Sequence, residues 1–126
     1  QIDLQQFSSP LELAWLVAKA AMVTASAQLL EPSAGTGLLV GTSINQNPKP
    51  AHIILNEFSK SRRDLLADIF PQAERYSVNA EYLNDMLLQR IKPSVIVMNP
   101  PCSRSLSSTK RSPDVCLKHL RSALLR

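Results

Sequence analysis

The chain has 126 residues, 44% hydrophobic and 19% charged, enough for one small domain with its own core and too short for two. That composition excludes a disordered or collagen-like chain, and no apolar run reaches the about 18 residues that would span a bilayer. The net charge of +4 gathers at one end, since residues 102–126 hold six Lys/Arg against one Asp/Glu and residues 1–101 hold eight against nine; such a segment suits contact with phosphates.

In chain order, Pro10 is well placed in the first turn of a helix, and the apolar positions Leu11, Leu13, Trp15, Leu16, Ala18, Ala20 and Met22 follow it. The stretch from Leu11 to Ala27 also carries Lys19, Thr24 and Ser26 and follows Gln1-Ile2-Asp3, so it is expected to belong to the fold and not to a secretory leader. Ala27-Gln28-Leu29-Leu30 reads as strand one. A short helix fits around Leu38 to Ile44, and Ala51 to Asn56 reads as strand two after the breaker-rich Asn45 to Pro50. Ser59 is a candidate cap for a helix with Leu65, Leu66, Ile69 and Phe70 on its apolar face, ended by Pro71. Tyr76-Ser77-Val78 is a weak third strand, Glu81 to Ile91 a further helix, and Ser94 to Met98 a fourth strand, apolar on both faces. Ser112-Pro113 opens a last helix.

Strands that alternate with helices and are nearly continuous in apolar residues predict an α/β fold, a parallel sheet covered on both faces. Ligands of such sheets sit beyond the carboxyl ends of the strands, where strand order reverses. The unusual loops of this sequence fall at those ends. Glu31-Pro32-Ser33-Ala34-Gly35-Thr36-Gly37 follows strand one, and Gly35 and Gly37 are expected to let a ligand approach the backbone where a Cβ would collide. Glu57 closes strand two about 20 residues later, the position at which an acid accepts hydrogen bonds from ribose hydroxyls. Asn99-Pro100-Pro101 follows the buried fourth strand, and its prolines remove two backbone donors and hold the loop extended. The Asn99 side chain and the Pro100 carbonyl are then two acceptors for the N–H bonds of a planar amine, stabilising the charge that builds when its lone pair is freed for attack. Cys102 and Cys116, with His52 and His119, match no metal-ligand spacing, so reduced thiols, a cytoplasmic chain and no metal are expected.

Taken with Phe7-Ser8-Ser9-Pro10, these segments resemble the amino-methyltransferases that use an Asn-Pro-Pro-aromatic motif, which include DNA adenine-N6 and protein glutamine methyltransferases. They are most similar to the methyltransferase-like domain that accompanies strawberry-notch-type helicases in bacteria, phages and plasmids. The resemblance implies a Rossmann-like class I methyltransferase fold with S-adenosylmethionine as cofactor, a mostly parallel sheet of which only the first four strands are present. It puts Phe7, Ser9 and Pro10 beside the methionine part of the cofactor, and Glu31, Pro32, Ala34, Gly35 and Gly37 in the first cofactor motif. Glu57 would meet the ribose, Asn79 and Ala80 the adenine, while Asn99, Pro100, Pro101 and Cys102 would form the catalytic motif.

Two positions depart from that pattern. Asn79 stands where the family has an Asp, keeping an acceptor without charge, and Cys102 stands where it has an aromatic ring, removing a stacking surface of about 1–3 kcal/mol for a flipped base. Because the family's sheet continues through three further strands, strand four is expected to be an open apolar edge, a place for self-association. The implied activity is methylation of an exocyclic amine, adenine in DNA, slowed by the loss of the ring. The alternatives are a catalytically degenerate cofactor- or nucleic-acid-binding module of a helicase-linked or mobile-element system, and a protein glutamine methyltransferase. Expected partners are therefore DNA, a helicase-type domain or a second copy, and no membrane.

Overall fold

The computed structural model describes residues 9–79, 82–86 and 91–99. Phe7, Ala80, Pro100, Pro101, Cys102, the basic segment 102–126 and the helix expected after Ser112-Pro113 lie outside the described residues. Eight elements alternate along them: α1 (Leu11–Ala21), β1 (Gln28–Glu31), α2 (Leu38–Gln46), β2 (His52–Asn56), α3 (Lys60–Ile69), β3 (Glu74–Tyr76), α4 (Leu83–Met86) and β4 (Val95–Ile96).

The four strands form one sheet in the order β3-β2-β1-β4, and every pairing is parallel. Leu29 and Leu30 of β1 lie opposite Ile53 and Ile54 on one side and Val95 and Ile96 on the other. Alternation of side chains across the pleat divides the core. Leu29, Leu55 and Val97 pack with Ala14, Leu39, Val40 and Leu66 from α1, α2 and α3, while Leu30 and Ile54 pack with Leu83 of α4. The chain winds from β1 out to β3 and returns to the other flank of β1 at β4. Strand order thus reverses between β1 and β4, and their carboxyl ends flank the crevice in which such sheets hold ligands. Among the described residues β4 is an edge strand, and no helix is long and apolar enough to cross a membrane.

The elements depart from the sequence reading in four places. Pro10 sits at the N-cap of α1, where its carbonyl accepts the Ala14 N–H at 3.0 Å. Ala14 and Ala18 are the fully buried residues of α1, whereas Leu11, Leu13, Trp15 and Leu16 are exposed. Small side chains let α1 approach closely, and Asn47 beyond the end of α2 fastens the contact by donating to the Ala18 carbonyl at 2.9 Å. In α3 only Leu66 is buried; Leu65 and Ile69 are exposed, and Ser59 occupies the N-cap with its hydroxyl on Ser61 Oγ and no side-chain bond to a capping N–H. The third strand is Glu74–Tyr76, not Tyr76 to Val78. By Val78 the neighbouring strand has ended, and its N–H turns to the side chain of Asn56 at 2.9 Å instead of a ladder partner.

Candidate cofactor and active site

Glu57 leaves β2 at the carboxyl edge of the sheet with only 5% of its surface exposed. Its Oε2 accepts the Gly35 N–H at 2.8 Å and its Oε1 the Ser59 N–H at 2.8 Å, so one carboxylate ties the glycine loop to the loop between β2 and α3. Arg62 stands 3.8 Å from Oε1. Arg63 folds back to donate to the carbonyls of Glu57 and Phe58 at 3.0 and 2.6 Å, which fixes the backbone carrying the acid. A carboxylate oxygen has a second lone-pair direction and can take a further hydrogen bond beside the backbone N–H it already accepts.

The two glycines of the loop have different reasons to be glycine. Both adopt positive φ, 56° at Gly35 and 81° at Gly37. A Cβ on Gly35 would meet nothing within 4 Å, leaving open space over a backbone whose N–H is bound to Glu57. A Cβ on Gly37 would lie 2.5 Å from the Phe70 ring and 2.9 Å from Leu66. Gly37 therefore seats α3 and Phe70 against the start of α2, whereas Gly35 leaves open space beside its backbone.

Glu31, the last residue of β1, is 2% exposed. Its Oε2 accepts the Val40 N–H in the first turn of α2 at 3.0 Å. Burial pushes its carboxyl up to about 8, the Val40 hydrogen bond opposes the rise, and the nearby charge of Glu57 adds to it. Pro32 and Ala34 act through their backbones. The Pro32 carbonyl accepts from Asn56 Nδ2 at 2.9 Å, and the Ala34 N–H donates to the Asn56 carbonyl at 2.9 Å.

Asn56 is the organising residue that sequence reasoning missed. Buried at the end of β2, it donates from Nδ2 to the carbonyls of Pro32 and Val78 and accepts the Val78 N–H at Oδ1. One side chain thus joins the loops that follow β1, β2 and β3, a role that a polar residue ending an apolar strand (Ile53-Ile54-Leu55-Asn56) signals in the sequence. Asn56→Ala strands these buried groups and is expected to cost about 2–3 kcal/mol. Urea unfolding of the two proteins measures it, with an unchanged midpoint the contrary result.

Asn99 emerges from the carboxyl end of β4, and its Nδ2 donates to Ser9 Oγ at 2.8 Å. Two segments ninety residues apart, the Ser9-Pro10 lead into α1 and the asparagine after β4, therefore meet. With its nitrogen committed to Ser9, the amide offers its oxygen as the acceptor for an incoming N–H. Asn79 lies beyond the end of β3, where its carbonyl accepts the Tyr82 N–H at 2.9 Å. Phe58, directly after Glu57, is exposed; an aromatic ring adjoining the buried acid is a flat apolar surface that sequence reasoning overlooked.

No protein-family model and no curated protein sequence matches the chain. Solved structures do. A protein of Pyrococcus horikoshii assigned as an RNA methyltransferase matches at 19% identity with a TM-score of 0.62, over 94% of this chain and 59% of its own. TrmN from Thermus thermophilus matches at 20% identity and a TM-score of 0.61, over 96% of this chain and 34% of its own. The 23S rRNA methyltransferase ErmE matches at 19% identity and a TM-score of 0.55, over 78% of this chain and 38% of its own. The chain spans less than two thirds of each of these proteins, and identities of this order speak for the fold and not for the reaction. With its β3-β2-β1-β4 parallel sheet and flanking helices, the chain has the Rossmann-like fold of the class I methyltransferases.

Proposed function

We propose that this chain is a methyltransferase domain that binds S-adenosylmethionine and acts on the exocyclic amine of a nucleic-acid base, adenine-N6 in DNA. The observation that carries the reading is the Glu57 clasp. A buried carboxylate is held by two loop amides at the carboxyl edge of the sheet, beside a glycine whose missing Cβ faces open space. Those residues fit the group: the carboxylate suits a ribose diol, the open Gly35 backbone suits close contact, and the exposed Phe58 ring suits a purine face. When bound, S-adenosylmethionine supplies the methyl group.

The remaining work belongs to the chain. Ser9 holds the Asn99 amide by its nitrogen, so Oδ1 accepts one N–H of the target amine while the Pro100 carbonyl accepts the other. Both acceptors favour the pyramidal nitrogen whose lone pair is free to attack. As the new N–C bond forms, one amine proton leaves to solvent. The Asn-Pro-Pro resemblance supports an amine acceptor, and the basic segment 102–126 supports a nucleic acid over a protein glutamine. A helicase-type partner and a place in a phage- or plasmid-borne system belong to the same reading.

Cys102 favours a second reading, a module that keeps cofactor or nucleic-acid affinity without turnover, because the base-stacking ring is replaced by a thiol. Both readings require the cofactor site. Titration with S-adenosylhomocysteine is expected to show binding that Glu57→Ala weakens by roughly ten- to a hundredfold, the loss of two charge-assisted acceptors. Thermal melts of both proteins separate that loss from unfolding of the loop that Glu57 ties down. Equal affinity in the two folded proteins would remove the ribose role.

A further inference from the structure

Two carboxylates that feel each other's charge are buried at this crevice, and among the described residues a cation accompanies only one of them. Glu57 has Arg62 at 3.8 Å and two backbone donors. Glu31, 2% exposed and near enough to feel the charge of Glu57, has the Val40 N–H. Among the described residues, the elements around it bring no balancing charge. Helix α2 contains no charged residue, β4 contains none, and the charged residues of α1, Glu12 and Lys19, are exposed, with Lys19 lying over the Trp15 ring. Neither ribose recognition nor amine activation uses Glu31. A buried acid left in this state keeps its proton near neutral pH and gives it up when a positive charge arrives close by.

We propose that Glu31 is the residue by which this site distinguishes a ligand with a cationic sulfur from the same ligand with a neutral sulfur, releasing its proton to solvent when the first binds and keeping it when the second does. The inference rests on the cofactor reading given above and deepens it. S-adenosylmethionine carries a sulfonium and S-adenosylhomocysteine a neutral thioether. A positive charge bound close to Glu31 would stabilise its ionised carboxylate. After methyl transfer the sulfur is neutral, the charge by which donor and product differ is gone, and Glu31 beside Glu57 regains a proton from solvent. The free acid sits at about 8, and a unit charge at ligand distance lowers it by roughly one to two pH units. The donor is therefore favoured over the product as pH rises through neutrality, and product release is coupled to proton uptake.

The test is calorimetric titration of the full chain in two buffers of different ionisation enthalpy, which counts protons. At pH 7.5 binding of S-adenosylmethionine is expected to release about half a proton more than binding of S-adenosylhomocysteine. Sinefungin, which carries an ammonium in place of the sulfonium and cannot react, is expected to behave like the donor. In Glu31→Gln the difference disappears, while titration of the ligands' own amines is common to both proteins and cancels. The affinity ratio of donor to product is expected to rise by about tenfold from pH 6 to pH 9 in the wild type and to stay flat in the variant. Carboxyl carbon-13 resonances of the wild type follow Glu31 directly and keep the test open if the variant misfolds. Binding of both ligands with the same proton count and the same pH dependence in wild type and variant would overturn the inference and leave the cofactor reading standing. Failure of all three ligands to bind would overturn both.

Discussion

Glu31→Gln is expected to make the domain more stable at pH 8.5 than the wild type, by a margin that shrinks to near zero below pH 4.5. The carboxyl is raised from 4.5 to about 8 by burial, so in the interval between those values the folded chain holds a proton that the unfolded chain has released. Stability then falls as pH rises, by about 1.4 kcal/mol per pH unit for one such group, and levels off above pH 8. The whole interval amounts to roughly 5 kcal/mol, a large part of what a small domain has. Glutamine has the shape of the protonated acid and keeps an oxygen for the Val40 N–H, but it has no charge to bury. Urea unfolding from pH 5 to pH 9 is the measurement. Parallel curves for the two proteins would mean that Glu31 ionises in the folded chain as it does in the unfolded one.

Gly37→Ala is expected to lower stability by roughly 2–5 kcal/mol through two additive causes. A φ of 81° is unfavourable for any residue with a Cβ, and that Cβ would stand 2.5 Å from the Phe70 ring, which belongs to the segment closing α3. Trimming the ring relieves the steric cause alone. The double variant Gly37→Ala with Phe70→Leu is therefore expected to recover about 1 kcal/mol or more relative to the sum of the single changes. Gly35→Ala is the contrasting case, because its Cβ enters open space. Thermal denaturation is expected to show only the small cost of a left-handed alanine there, with ligand affinity lost instead. Equal destabilisation at the two glycines would contradict the division of roles.

The order of elements was legible in the sequence because apolar runs alternate with polar breaks, several of them marked by proline or glycine, as at Pro32 to Gly37, Pro48, Pro50, Pro71 and Pro93. The glycine loop, Glu57 and Asn99 were legible for the same reason, since each follows an apolar strand and breaks its pattern. What escaped depends on partners far apart in the chain. The inward face of α1 is set by how closely α2 approaches, which selects Ala14 and Ala18, whereas a reading weighted by hydrophobicity favours Trp15 and Leu16. The register of β3 is set by Asn56, whose side chain captures Val78 and ends the ladder. The packing of Gly37 against Phe70 was hidden because the two are 33 positions apart. Glu31 read as part of a loop motif, and only its burial beside Glu57 reveals its charge problem.

The central claim is that the carboxyl ends of β1, β2 and β4 form one nucleoside-cofactor site. The most direct measurement is a titration of the nitrogen-15-labelled chain with S-adenosylhomocysteine, followed by amide resonances. The account predicts saturable shifts at the backbone amides of Gly35 and Ser59, which Glu57 now holds, and at the side-chain amide of Asn99 beside Ser9. Shifts confined to the exposed Leu11-Trp15-Leu16 face of α1, or no shifts at millimolar ligand, would contradict it.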